Sequence, residues 1–273
     1  MESAGLNSAL SIPLRTAARL PRPVCVLGWG AFKIGRNQAT KYPTPYELPT
    51  DSHSAVVIGE VLDMGIGVID TAPAYGLSES RLGAALGSRR ESLFLCSKVG
   101  ETFENGVSRF NFSQAAVAAS LHASLERLHT SWLDLVWVHS DGHDENILRD
   151  GHAIRSLDSA RHRGEIRSIG FSPKSLAGAM ASLDHPLVDA VMVELHPDDV
   201  TMLPAVEHAG RQGKAVFVKK PLASGRLNPQ QSIPWLLANP SVTCVVVGGL
   251  NMQRLRETAE LTMKKSPRCE PES

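Results

Sequence analysis

Four side chains that can transfer protons follow three successive apolar segments of this chain. Asp70 ends one such segment, and Tyr75 comes five residues later, in a turn. Lys98 and His139 end the next two segments. An ammonium group lowers the pKa of a nearby phenol from its usual value of about 10, and a carboxylate keeps that ammonium charged and oriented. An imidazole can polarise a carbonyl group or relay a proton. The set is therefore suited to protonating a carbonyl oxygen while a hydride from a cofactor reaches the carbonyl carbon.

Each of these residues also has an ordinary structural explanation. An aspartate after a strand often caps the next turn, and a histidine in that position is often a satisfied interior polar group. A lysine is most often a surface residue. The catalytic interpretation depends on finding such residues at three consecutive strand ends, because packing alone does not explain that arrangement.

The elements that would bring these side chains together form a regular alternation. Apolar, β-branched segments alternate with segments of helical period about eight times between residues 24 and 263. Alternation predicts a parallel sheet, and eight units predict an α/β fold with a single (β/α)8 TIM barrel, in which strand ends converge on one mouth. An open doubly wound sheet is the alternative. The segment Gly28–Gly30 lacks the third glycine of a dinucleotide-binding fingerprint, which argues against it.

The predicted boundaries divide the chain into three parts. Residues 1–23 form an N-terminal segment, residues 24–263 form the barrel, and residues 264–273 form a polar, flexible tail. The first strand is expected at Val24–Leu27. Asp51 or Ser52 is expected to cap the first helix, and Ser113 to cap a long amphipathic helix that reaches Leu128.

The composition excludes several classes of function. The chain has 28 basic and 28 acidic residues, so no basic face for nucleic acid is indicated. No apolar segment is long enough to span a membrane. The four cysteines show no Cys-x-x-Cys spacing, which fits a reducing cytoplasm. Asp141, His143 and Asp144 lack the spacing of a known metal site, so we predict a polar lid there and no bound metal.

A long loop between Phe32 and Pro49 is expected to shape access to the mouth of the barrel. Lys33 lies in this loop. Trp29, after the first strand, and His53 are the other candidates for the wall of a substrate pocket.

Six segments together resemble the aldo-keto reductase family, over nearly the whole chain from Val24 to Leu261. They are Asp70–Gly76 (DTAPAYG), Ser97–Gly100 (SKVG), Asp134–His139 (DLVWVH), Gly164–Gly170 (GEIRSIG), Pro221–Gly225 (PLASG) and Val247–Gly249 (VGG). The resemblance implies a (β/α)8 barrel that binds NADP(H) without a Rossmann fold and reduces aldehydes and ketones. It also implies that Tyr75 is the general acid, that Lys98 and Asp70 tune it, and that His139 orients the substrate carbonyl.

On the cofactor side the resemblance implies a set of binding residues, with NADP(H) as the cofactor and NAD(H) as the alternative. The set is Ser172, Lys219, Pro221, Leu222, Ser224, Arg226, Gly248, Gly249 and Arg254. The chain departs from the family pattern at four places; at one of them, Gly248 and Gly249 stand where the family has a Lys-Ser pair for the 2′-phosphate. Pro173 replaces an asparagine, Met192 replaces a glutamine, and Lys219 replaces an aromatic residue that stacks on the nicotinamide. The phosphate end of the cofactor is therefore expected to carry more of the affinity.

These departures leave two alternatives to a reductase of small carbonyl compounds. The first is a lyase, dehydratase or isomerase that uses the same Tyr/Lys/His set without a cofactor. The second is a catalytically silent regulatory subunit, which is disfavoured because such a protein has no need to keep all four polar residues.

Overall fold

The computed structural model describes residues 9–40 and 42–263, and its centre is a closed barrel of eight parallel strands. Labelled by their order along the described chain, the barrel strands are β3 (Leu27–Gly30), β4 (Val68–Asp70), β5 (Phe94–Val99), β8 (Leu133–His139), β9 (Ile166–Ser172), β10 (Ala190–Glu194), β11 (Ala215–Lys219) and β12 (Cys244–Gly248). Each strand pairs with the next barrel strand, and β12 closes the barrel against β3. The predicted (β/α)8 barrel is confirmed.

Nine α-helices occur among the described residues, and most of them follow a barrel strand. They are α1 (Asp51–Asp63), α2 (Ser78–Leu86), α3 (Gln114–Arg127), α4 (Asp144–Asp150), α5 (His152–His162), α6 (Leu176–Asp184), α7 (Leu203–Arg211), α8 (Pro229–Ala238) and α9 (Met252–Met263). Short 3₁₀ turns lie at Ala31–Ile34, Pro73–Tyr75 and Gly87–Ser92. None of the helices between residues 9 and 263 is long and apolar enough to cross a membrane.

Two apolar cores hold these layers together. The larger core lies between the barrel and the helices, where every helix buries an apolar stripe against the outer face of the strands. The smaller one fills the inside of the barrel with alternate side chains of the same strands, among them Phe94, Trp137 and Phe217. A strand residue therefore faces one core or the other according to its register.

The N-terminal segment contributes to the barrel more than its sequence indicated. Strands β1 (Leu14–Arg15) and β2 (Val24–Cys25) form an antiparallel hairpin. Leu20 and Val24 belong to the interior core, so the hairpin closes the end of the barrel where the strands begin. The first barrel strand consequently starts at Leu27, and the expected strand at Val24–Leu27 is divided between the hairpin and the barrel.

Helix caps and insertions account for the other differences from the sequence analysis. Thr50 caps α1 by accepting a hydrogen bond from the backbone of His53, in place of Asp51 or Ser52. Ser113 caps α3 as expected. A second hairpin, β6 (Glu101–Glu104) with β7 (Val107–Phe110), was not predicted, and it follows barrel strand β5 directly. The predicted flexible tail at 264–273 lies outside the described residues.

A buried carboxylate at the start of β8 gives a stability prediction. Asp134 is 1% exposed. It accepts a hydrogen bond from the backbone of Leu95 at 2.8 Å and pairs with Arg22 at 2.9 Å and with the buried Arg90 at 3.3 Å. We expect Asp134→Ala to lower the free energy of unfolding by about 3–5 kcal/mol, because Arg90 and the Leu95 N–H lose their buried partner. Urea unfolding measures this change.

An exposed ion pair provides the matched control for that prediction. Asp63 pairs with Arg89 at 2.8 Å, but its side chain is 69% exposed. Asp63→Ala is expected to cost less than about 1 kcal/mol, because water screens the pair. Equal losses in the two variants would show that the burial of Asp134 is not what makes its contacts stabilising.

Candidate active site

A large cavity opens at the carboxyl ends of the barrel strands, and the four residues predicted to transfer protons lie in its wall. Its volume is about 1180 Å³, and Asp70, Tyr75, Lys98 and His139 all line it. Asp70, Lys98 and His139 come from the ends of three adjacent strands, β4, β5 and β8, and Tyr75 comes from the short 3₁₀ turn after β4. The fold therefore brings together the four residues that sequence spacing selected.

Lys98 is the centre of this group. Its Nζ atom donates hydrogen bonds to Asp70 Oδ2 at 2.6 Å and to the backbone carbonyl of Thr71 at 2.9 Å. The same Nζ atom lies 4.8 Å from the centroid of the Tyr75 ring. Burial opposes the charge, but Asp70 and Tyr75 outweigh it and raise the pKa of the Lys98 ammonium above its usual value. Lys98 is consequently a fixed, fully charged cation beside the phenol.

The pKa of Tyr75 differs in direction from the sequence expectation. Burial raises the pKa of the phenol above its ordinary value of 10; Lys98 lowers it, and Asp70 raises it further. The expected lowering by the ammonium is therefore present, but the desolvation of the phenol is larger. As a result the hydroxyl of Tyr75 stays protonated at neutral pH, which is the form that can donate a proton.

His139 has a carboxylate partner that the sequence analysis missed. Its Nδ1 atom lies 2.7 Å from Glu101 Oε2. Glu101 also accepts a hydrogen bond from Ser108 at 2.6 Å. Burial opposes ionisation of Glu101, but these partners together with Arg36 lower its pKa to about 2. The carboxylate faces Nδ1, so Nε2 is the ring nitrogen left to meet a substrate oxygen.

The charge state of His139 follows from competing neighbours. Burial is the largest effect and lowers the pKa of the imidazole; Glu101 raises it, whereas Lys98 and Lys219 lower it further. The net shift is downward, so the ring is neutral at neutral pH. The sequence shows that Glu101 comes directly after the strand that contains Lys98. It does not show the hairpin that brings Glu101 next to His139.

The long loop after β3 forms one wall of the cavity with aromatic rings. Lys33 Nζ lies 4.0 Å from the ring centroid of Tyr42 and 4.8 Å from that of Tyr46. The ring of Phe32 packs edge-on against Tyr75, with centroids 4.9 Å apart. All of these residues line the cavity. Of the three residues predicted for the substrate pocket, Lys33 is the one that the structure places there.

Trp29 and His53 do not line the cavity. Trp29 is fully buried in the core between barrel and helices, and its indole nitrogen donates to the carbonyl of Gly249 at 3.1 Å. Its register on β3 turns it away from the mouth. His53 is exposed in the first turn of α1, where its backbone meets the cap Thr50. Both expectations are therefore corrected by the positions of these side chains.

Most of the residues expected to hold a cofactor also line the cavity. Those that line it are Lys219, Pro221, Leu222, Ser224, Gly248, Gly249 and Arg254. Two do not line it. Arg226 points along its own turn and donates to the carbonyl of Ala223 at 3.1 Å, and Ser172 is fully buried behind Lys219. Pro173 and Met192, two departures from the family pattern, also face the cavity.

The backbone of this wall has an unusual conformation after β11. The turn after β11 holds Lys220, Ala223 and Ser224 at φ values of 50°, 46° and 61°, in the left-handed region that side chains rarely adopt. Within the turn, the N–H groups of Ala223 and Gly225 donate to the carbonyls of Lys220 and Leu222, so the hydroxyl of Ser224 is the side-chain donor that the turn offers to the cavity. Gly248 and Gly249 precede α9, which carries Arg254 in its first turn. The donor set is therefore suited to phosphate groups.

The acidic cluster after His139 has a structural role. Asp144 is buried, accepts hydrogen bonds from the backbone of Lys174 and Ser175, and accepts another from the Ser175 hydroxyl at 2.7 Å. It therefore ties α4 to the start of α6. Across residues 9–40 and 42–263, no group of His, Cys, Asp and Glu side chains has the arrangement of a metal site.

Comparison with known proteins adds a solved structure that matches over the whole barrel. The crystal structure of PA4992 from Pseudomonas aeruginosa, assigned to the aldo-keto reductases, is 35% identical and superposes with a TM-score of 0.85. The alignment covers 96% of this chain and 98% of that one. The holo form of the aldo-keto reductase AKR11C1 from Bacillus halodurans has a TM-score of 0.82 over 94% of this chain and 92% of its own. At 22% identity it shows a shared fold.

Curated relatives with named activities match less completely. L-galactose dehydrogenase from Arabidopsis thaliana is 28% identical over 85% of this chain and 72% of its own length. D-arabinose 1-dehydrogenase from Saccharomyces cerevisiae is 36% identical, but the match spans 47% of this chain and 37% of that enzyme. The family model described as the aldo/keto reductase family matches residues 26–233, well over half of the chain. With its barrel and its site at the strand ends, this chain belongs to the aldo/keto reductase family.

Proposed function

We propose that this protein is an NADP(H)-dependent oxidoreductase that transfers hydride between a nicotinamide cofactor and a small aldehyde or ketone, or the corresponding alcohol. The observation that carries the proposal is the convergence of Asp70, Tyr75, Lys98 and His139 on one cavity. The volume of about 1180 Å³ exceeds the 300–1,000 Å³ that is common for single small-ligand sites. A cofactor and a substrate therefore have room together.

In this proposal the residues of the chain handle the proton, and the cofactor, when bound, supplies or accepts the hydride. Tyr75 donates its proton to the carbonyl oxygen, because its raised pKa keeps the phenol protonated. Lys98, held by Asp70, stabilises the phenolate that remains. Since Glu101 faces Nδ1–H, His139 meets the substrate through Nε2: the neutral ring accepts a hydrogen bond from an alcohol hydroxyl, and the protonated ring donates one to a carbonyl oxygen.

The two ends of the cofactor site fit NADP(H) to different degrees. The hydroxyl of Ser224, the backbone of the glycine pair before α9 and the guanidinium of Arg254 are the donors that we propose for phosphate groups. At the other end, Pro173 and Met192 offer no side-chain amide groups, and Lys219 stands beside them in the wall of the cavity. The match to the family and the free thiols of Cys25, Cys96 and Cys244 also support action in a reducing cytoplasm.

Arg254 gives a test of the phosphate end. We expect Arg254→Ala to weaken NADPH binding by about 10-fold, equal to about 1.4 kcal/mol, because an exposed guanidinium near the cofactor phosphates is lost. The loss should shrink at high salt, since the side chain is exposed. Calorimetric titration at two salt concentrations measures it. NADH is the control ligand: an equal loss of NADH affinity would show that Arg254 does not contact the additional phosphate.

The decisive experiment for the proposed function is the titration of the unmodified protein with NADPH and NADH, followed by a panel of aldehydes and ketones. Binding below high micromolar concentration together with oxidation of NADPH supports the proposal. Absence of binding by both cofactors contradicts it. In that case turnover of a substrate without cofactor would identify the lyase, dehydratase or isomerase alternative.

A further inference from the structure

A carboxylate of the β6–β7 hairpin lies against the ring of His139. Glu101 Oε2 is 2.7 Å from Nδ1 of the imidazole. Nδ1 is buried, although the His139 side chain as a whole is 19% exposed and lines the cavity. Water therefore does not reach Nδ1, and the part of the ring that a substrate can meet lies away from this nitrogen.

Two other segments hold Glu101 in this position and keep it ionised. Ser108 on β7 donates a hydrogen bond to Glu101 Oε1 at 2.6 Å. Arg36, from the loop after β3, adds positive charge near Glu101, and its guanidinium is anchored on the carbonyl of Ala74 at 3.0 Å. Burial opposes ionisation, but His139 and these partners lower the pKa of Glu101 to about 2. The carboxylate is therefore held in place and negatively charged throughout the neutral range of pH.

An ionised carboxylate at this distance determines where the proton of a neutral imidazole lies. A carboxylate oxygen carries lone pairs and no hydrogen, so it can only accept a hydrogen bond. A bare Nδ1 would place a second lone pair 2.7 Å from Glu101 Oε2, which is repulsive. The neutral ring of His139 therefore carries its proton on Nδ1 and has a lone pair on Nε2.

The charge of the ring depends on groups from three strands. Burial is the largest effect and lowers the pKa of His139; Glu101 on β6 raises it, and Lys98 on β5 and Lys219 on β11 lower it further. The net shift is downward from the ordinary value. The ring is consequently neutral at pH 7 and becomes charged only in more acidic solution.

Tyr75 and His139 then offer a substrate oxygen one donor and one acceptor. The phenol of Tyr75 donates, because its raised pKa keeps it protonated, and Nε2 of the neutral His139 accepts. A hydroxyl oxygen can accept from the phenol and donate to Nε2 at the same time, whereas a carbonyl oxygen can only accept. In a carbonyl complex two lone pairs face each other, and the acceptor Nε2 loses its hydrogen bond.

We propose that Glu101 is a positioning residue that fixes the tautomer of His139 and thereby makes the site select the alcohol form of its substrate at neutral pH. The inference rests on the proposed function, in which the substrate oxygen lies between Tyr75 and His139. Protonation of Nε2 turns the ring into a donor on both sides. Carbonyl compounds therefore gain affinity as the pH falls through the pKa of His139, and alcohols lose it.

The tautomer is measured without cofactor or substrate, by NMR of the protein labelled with ¹⁵N in its histidine rings. The signals of His139 are identified by their absence in His139→Gln. At pH 7.5 we expect a protonated Nδ1 and an unprotonated Nε2. Glu101→Met removes the acceptor, and the proton is expected to move to Nε2 in most molecules. A proton on Nε2 in the unmodified protein overturns the proposal, whatever the protein does with NADPH.

The selection of alcohols is measured with two probes that cannot react in the complex with NADP⁺. Acetophenone cannot be reduced there, because the oxidised cofactor has no hydride to give. Cumyl alcohol cannot be oxidised, because its hydroxyl carbon bears no hydrogen. At pH 7.5 we expect the alcohol to bind about 10-fold more tightly, the effect of about one hydrogen bond. The ratio should fall as the pH is lowered, because the ring of His139 becomes protonated.

The outcomes of this titration separate the two proposals. Equal affinities at pH 7.5, or no binding of either probe by the complex that NADP⁺ forms, overturn the selection of alcohols. If NADP⁺ itself does not bind, the proposed function fails, and the NMR measurement still decides the role of Glu101.

Two substitutions on the same strand distinguish the contact with His139 from the charge of the hairpin. Glu101→Met is expected to bring the affinity ratio at pH 7.5 to about one or below, because Nε2 then donates to the ketone. Glu104 also lies on β6 but is exposed. Glu104→Met removes an equal charge and should retain the 10-fold ratio. Equal changes in the two variants would overturn a specific role of Glu101, and thermal unfolding verifies that each variant is folded.

Discussion

Tyr75→Phe is expected to lower kcat for carbonyl reduction by about 100-fold or more while NADPH binds with nearly unchanged affinity. The phenol contributes its proton only in the chemical step, so its loss removes stabilisation of the transition state. The ring itself remains, and its edge-on contact with Phe32 keeps the wall of the cavity in place. Steady-state kinetics with a saturating aldehyde, together with a calorimetric titration of NADPH, measures both parts of the expectation.

A matched control for this variant is Tyr42→Phe. Tyr42 is a second phenol in the same cavity, and burial raises its pKa to about 12. It lies beside Lys33 on the loop, so its hydroxyl is not expected to serve as the proton donor. Unaltered turnover in Tyr75→Phe, or an equal loss in Tyr42→Phe, would remove Tyr75 from the proposed mechanism.

Lys98→Met is expected to lower kcat by a similar factor, about 100-fold, and to add little to Tyr75→Phe in the double variant. Lys98 acts by stabilising the phenolate that Tyr75 leaves after proton transfer. Once the phenol is absent, no phenolate forms for the ammonium to stabilise. A double-mutant cycle on kcat measures the coupling between the two residues, and losses that simply multiply would show that they act independently.

Substitution of Lys98 by methionine also leaves Asp70 without its partner at 2.6 Å, which destabilises the folded protein. Removing one partner of a buried pair costs about 3–5 kcal/mol, so stability must be measured beside activity. Lys98→Arg retains the charge and is expected to keep the protein folded. Its kcat should still fall, because the guanidinium does not fit the position of a compact ammonium.

The sequence by itself determined the barrel and the four residues at its mouth. Alternating apolar and helical segments can bury their faces only by packing a parallel sheet against helices, so the order of elements follows from the pattern. In a closed parallel barrel all strands point the same way, so polar residues at successive strand ends must meet at one rim. Asp70, Tyr75, Lys98 and His139 were therefore placed correctly from their positions along the chain.

The two segments proposed for the phosphate end were identified by their resemblance to the family. The segment at 221–225 and the pair Gly248 and Gly249 depend on backbone conformations set by neighbouring residues. The structure places residues of both segments in the wall of the cavity. The register of a strand is less local, and this is why Trp29, next to a strand end, turned out to face the helices.

Only the tertiary structure decided the charge state of the site. Glu101 contacts His139, 38 residues later in the chain, and Lys219 contacts Ser172, 47 residues earlier. No local sequence pattern predicts contacts over such separations. The pKa of Tyr75 rises because the packed fold removes water from the phenol, an effect larger than the nearby ammonium that the sequence did reveal. Residue type and spacing name the groups that can react, whereas desolvation and long-range contacts set which of them carries a proton.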